Sequence, residues 1–78
     1  MNFFKALDIG YNLLKLKKIN SYKIDTELLL SDSLNISKEK LILNLKQSIS
    51  LSSYKKFLSK LKRREAKEPI AYILNKKE

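Results

Sequence analysis

Residues 50–66 read Ser50-Leu-Ser-Ser-Tyr-Lys-Lys-Phe-Leu-Ser-Lys-Leu-Lys-Arg-Arg-Glu-Ala66. Tyr54, Phe57, Leu58 and Leu61 fall at i, i+3, i+4 and i+7, the spacing that gathers apolar side chains on one face of an α-helix. Ser50 supplies an N-cap hydroxyl, and Ile49 before it with Tyr54 after it forms a hydrophobic staple. This is the clearest amphipath in the chain, predicted over about 51–66, and its apolar face requires other helices to pack against. The same period runs through the rest of the sequence, and no strand-like alternation persists. The expected fold is an all-α bundle.

Working outward, Ser37 repeats the capping device with Ile36 and Leu41, which predicts a short helix over about 38–46 burying Leu41, Ile42 and Leu45. Upstream, Asn20 or Ser21 can cap a helix in which Thr26, Leu29, Leu30, Ser33 and Leu34 share a face. Asp25 and Glu27 sit in its first turns, where the helix dipole favours negative charge. Asp25 and Asp32 share a face at i, i+7, and both read as solvated. Residues 2–18 predict a first helix with Phe4, Leu7, Tyr11 and Leu14 as its stripe, widened by Phe3 and Leu13. Gly10 interrupts it at a cost of about 1 kcal/mol relative to Ala. Either a close helix approach or a chance weak spot accounts for it. Downstream, Pro69 suits the first position of a fifth helix through Leu74, and Asn75 suits its end. Five short helices with brief connections imply orthogonal or irregular packing.

The 78 residues allow a single domain, 1–78. Without cysteine or histidine the chain excludes disulfides, thiolate catalysis, Cys/His zinc sites and His-based triads. One glycine cannot build a phosphate-cradling loop. The scattered acids form no pair in an apolar setting that would separate two pKa values. No catalytic, cofactor-binding or metal residue is therefore assigned. No apolar run approaches the about 20 residues of a membrane span, and Lys5 and Asp8 break the N-terminal run too early for a signal peptide. A cytoplasmic protein without membrane contact is expected.

The net charge is +9, from 17 basic and 8 acidic residues. Fifteen of the basic residues are Lys, and with abundant Asn and Ile and no Val the excess matches an AT-rich coding bias as well as a binding footprint. The densest cluster is Lys55, Lys56, Lys60, Lys62, Arg63, Arg64 and Lys67. Of these, Lys56, Lys60, Arg63 and Lys67 gather opposite the apolar face and form the candidate partner-binding set. A solvated outer face is the simpler reading of the same lysines. Tyr54 and Phe57 lie on the core side, so a base-stacking platform is not supported. A basic helical module that binds nucleic acid through this helix is the alternative function.

Arg63-Arg64-Glu65-Ala66-Lys67-Glu68-Pro69-Ile70-Ala71-Tyr72-Ile73-Leu74, with Asp25-Thr26-Glu27-Leu28-Leu29-Leu30 upstream, resembles the N-terminal domain of the bacterial release factor glutamine methyltransferases, the PrmC or HemK family. The resemblance spans the whole chain and implies a bundle of about five helices. It further implies a domain that helps hold class I peptide release factors, the proteins of translation termination, while a catalytic domain works on them. In the full-length enzymes a separate catalytic domain transfers a methyl group from S-adenosylmethionine to the Gln side-chain amide of the release factor's Gly-Gly-Gln loop. That cofactor belongs to the catalytic half, whose glycine-rich loop and Asn-Pro-Pro-Tyr motif do not occur in these residues. The chain alone is accordingly expected to bind no cofactor and to methylate nothing. Its implied partners are release factors and its own catalytic domain. Two positions depart from the family pattern: Lys67 and Asn75 stand where Gly is common.

Overall fold

The computed structural model describes residues 1–74. Five helices follow in order: α1 (Phe3–Leu16), α2 (Tyr22–Leu34), α3 (Lys38–Leu43), α4 (Leu51–Glu65) and α5 (Ile70–Leu74). Among the described residues there is no strand, only an isolated antiparallel bridge between Asn2 and Ser48. The predicted end of α5 at Asn75 lies outside the described residues.

Helix α2 is the hub, packing against each of the other four helices. A helix covered from several sides shows no simple apolar stripe, and α2 buries Asp25, Thr26, Ser31 and Ser33 beside Leu29 and Leu30. The serines are satisfied locally: Ser33 Oγ donates to the Leu29 carbonyl at 2.8 Å and Ser31 Oγ to that of Leu28 at 3.1 Å. Thr26 is fully buried, and its Oγ1 has no hydrogen-bond partner among the described residues. An orphaned buried hydroxyl costs about 1–3 kcal/mol. Thr26→Val, which keeps the shape and removes the hydroxyl, should therefore raise the unfolding free energy by about 1–2 kcal/mol in urea titrations.

The face that α1 turns to α2 is not the one the large side chains suggest. Its buried positions are Phe3, Ala6, Leu7, Gly10 and Leu14, and Phe4 is 58% exposed against 4% for Phe3. The stripe is rotated toward small residues because the two helices come very close at Gly10. A Cβ placed there would lie 2.4 Å from Thr26 Cγ2 and 3.1 Å from Phe57 Cζ. Close approach, and not a weak spot, accounts for the glycine. Farther along, Tyr11 donates to Glu27 Oε2 at 2.7 Å and meets Tyr22 edge-on with ring centroids 6.3 Å apart. Burial, then the bond to Glu27, raises the Tyr11 pKa above its ordinary value.

Three helices end in Schellman motifs, and in none is the left-handed residue glycine. Lys18, Asn35 and Lys67 have φ of 61°, 59° and 70°. The 6→1 bonds run from Ile19 to Leu14 (3.1 Å), Ile36 to Ser31 (3.1 Å) and Glu68 to Arg63 (3.2 Å). Asn tolerates this conformation, whereas Lys is strained in it by about 1–2 kcal/mol. After the extra chain entropy of glycine, Lys18→Gly and Lys67→Gly should each add about 0.5–1 kcal/mol, a rise of about 2–8 °C in melting temperature.

The caps at Ser37 and Ser50 form as read, their hydroxyls accepting from Lys40 N at 3.1 Å and Ser53 N at 3.2 Å. Helix α3 stops at Leu43, short of the predicted 46, and carbonyls of the segment that follows pair with the start of α1. Those of Leu45 and Gln47 accept from Phe4 N and Phe3 N, each at 2.9 Å, and so satisfy orphan donors in the first turn of α1. With that early stop Leu41 remains fully buried while Ile42 is exposed and Leu45 half-buried. The Cα radius of gyration is 11.5 Å, the value of about 11.5 Å expected for a compact chain of this length.

Candidate partner-binding face

Helix α4 divides as its sequence predicts. Phe57 and Leu61 are fully buried, Tyr54 and Leu58 half-buried, and most of the lysines point outward. Phe57 lies against α1 near Gly10, and Tyr54 stacks obliquely on it at 6.5 Å between centroids.

The four candidate residues are not equivalent. Lys56 is exposed and takes part in no ion pair among the described residues. Lys67 is exposed and likewise unpaired, carried outward by the left-handed turn after α4. Lys60 is half-buried, with Nζ 3.8 Å from Asp32 Oδ2 on α2. Arg63 reaches forward over the turn: its Nε donates to Glu68 Oε1 at 3.0 Å, and Nη2 donates to Glu68 Oε2 and to the Tyr72 carbonyl. The hydrogen bond from Arg63 holds the Glu68 carboxyl below the usual carboxylate range. That contribution to stability is present at neutral pH and fades as pH falls through the lowered value; solvent screening at this partly exposed pair keeps it small. Lys56, Lys60 and Arg63 thus share one side of α4, the first free and the other two internally engaged, while Lys67 stands free in the turn beyond the helix and not on it.

Arg64 is not part of that surface. It turns inward, donating from Nε to Asp25 Oδ2 at 2.8 Å and from Nη1 to the Glu68 carbonyl at 2.9 Å. Asp25, read as solvated, is 4% exposed. It also accepts from Ser21 Oγ at 2.8 Å, so Ser21 orients a carboxylate instead of capping α2. Asp32 is half-buried and faces Lys60. Helical spacing assigned both acids to solvent because it sees a single helix at a time; their partners lie on α4. The sequence feature that Asp25 and Arg64 share is that each stands in one of the two blocks carrying the family resemblance, and spacing alone does not pair them. Together these groups fix the α4–α5 turn against α2, and with it the position of Lys67.

Among the described residues no helix is long and apolar enough to cross a membrane. Searches among curated proteins and among solved structures return no match to this chain. The family profile described as the PrmC N-terminal domain matches residues 5–74, taking in all five helices but the first residues of α1. On that match, and on the five-helix bundle that accompanies it, the chain belongs to the PrmC N-terminal domain family.

Proposed function

We propose that this bundle is the substrate-holding domain of a release factor glutamine methyltransferase. It binds a class I peptide release factor so that a catalytic domain using S-adenosylmethionine can methylate the Gln amide of the Gly-Gly-Gln loop. The family match over 5–74 carries the reading. The side of α4 bearing Lys56, Lys60 and Arg63, with Lys67 in the turn that follows, is the proposed docking face, and Lys56 and Lys67 supply its unpaired charge. Binding energy gained away from the reacting atoms positions the glutamine without touching it. Lys60 and Arg63 add to the field but must share it with Asp32 and Glu68.

The test is the affinity of the chain for a class I release factor, measured with Lys56→Glu/Lys67→Glu against wild type. Charge reversal should weaken binding about three- to tenfold at about 50 mM salt, and the difference should shrink by about 300 mM as screening shortens its reach. In a methyltransferase carrying this domain, KM for the release factor should rise while kcat holds, since uniform binding is lost. Unchanged affinity at low salt, with an unchanged melting temperature, would remove the docking face. Tighter binding to a structured RNA, lost in the same variant, would move the function to nucleic acid.

A further inference from the structure

Eight large hydrophobic side chains stand exposed among the described residues, and two of them, Met1 and Phe4, lie where the N-terminal segment meets the connection between α3 and α4. The backbone joins those segments: Phe4 N donates to Leu45 O at 2.9 Å and Ile49 N to Met1 O at 3.0 Å. Met1 and Phe4 line an open cavity of about 530 Å³ together with Lys5 and Lys46. Neither lysine takes part in an ion pair among the described residues, and no acid lines the cavity. An aromatic side chain held on a hydrogen-bonded backbone, flanked by unpaired cations, is the anatomy of an interface anchor with a steering rim.

We infer that this junction is a second docking surface, distinct from α4, that receives an acidic amphipathic segment of a partner protein. Its apolar side chain packs on Phe4 and Met1 while its carboxylates face Lys5 and Lys46. Charge selects this occupant over a second copy of the chain, because the patch is cationic and so is the whole molecule at +9. Extent selects it over an anionic lipid surface: Met1 and Phe4 are the apolar lining of the cavity among polar residues, whereas interfacial binding needs one long continuous amphipathic face.

The probe is a synthetic helical peptide with Leu at i, i+4 and i+7 and Glu elsewhere. On titration the amide resonances of Phe4, Lys5, Leu45 and Lys46 should shift. Phe4→Ser should weaken binding about tenfold or more, and Lys5→Glu/Lys46→Glu should abolish it, both without loss of melting temperature because the positions are exposed. Lys23→Glu, on the exposed side of α2, should bind the peptide as wild type does. Shifts elsewhere, or Phe4→Ser binding like wild type, would overturn the inference. So would tighter Phe4-dependent binding to phosphatidylserine–phosphatidylcholine vesicles, or a Phe4-dependent dimer in sedimentation.

Discussion

Replacing Arg64 with Leu should lower the unfolding free energy by about 3–5 kcal/mol, because it strands the Asp25 carboxylate in the interior with only Ser21 to bind it. The Glu68 carbonyl loses its donor in the same step. A domain of this size holds about 4–12 kcal/mol in total, so the variant should be largely unfolded well below the wild-type transition. Arg64→Lys should recover only part of the loss, since an ammonium cannot span the carboxylate and the carbonyl as the guanidinium fork does. Asp25→Leu combined with Arg64→Leu should be far less damaging than either change alone, as the double variant buries no unpaired charge. Urea unfolding followed by circular dichroism decides the matter. If Arg64→Leu costs less than about 1 kcal/mol, the pair is a surface contact and does not hold the α4–α5 turn.

Phe57→Ala should cost a similar about 3–5 kcal/mol, for a different reason. The ring is fully buried and its tip sits opposite Gly10, where α1, α2 and α4 meet. Truncation opens a cavity that the surrounding helices cannot close, since α1 and α2 already touch through Gly10 and Thr26. Phe57→Leu should cost less, about 1–1.5 kcal/mol, by retaining most of the volume. Two variants of equal stability would mean that the junction is loosely packed and that the close approach at Gly10 does not determine it.

Much of this architecture is local and therefore legible in the sequence. Ser37 and Ser50 announce their helices because a cap, a staple and an apolar stripe lie within a few residues of one another. Gly10 was visible as an anomaly, but the reason for it, Thr26 of another helix, was not. The misassigned residues all depend on distant partners. Phe4 yields its place to Phe3 because α1 presents Ala6 and Gly10 to α2, and small residues carry little hydropathy signal. Ile42 is left outside because the short α3 packs on α2 through Leu41, its one buried side chain. Asp25 and Arg64 are 39 positions apart and look like ordinary surface charges until α2 and α4 are packed. The four candidate cations divide into two free and two engaged for the same reason: the partners of Lys60 and Arg63 lie on α2 and beyond the α4 terminus.

Amine reactivity tests the docking face most directly. With a class I release factor in excess, acylation of the folded chain by a water-soluble active ester should slow several-fold at Lys56 and Lys67, while exposed Lys23 on α2 should react at its unbound rate. Equal protection of all exposed lysines, or none at Lys56 and Lys67 under conditions where the release factor is bound, would contradict a face of α4 that holds the release factor.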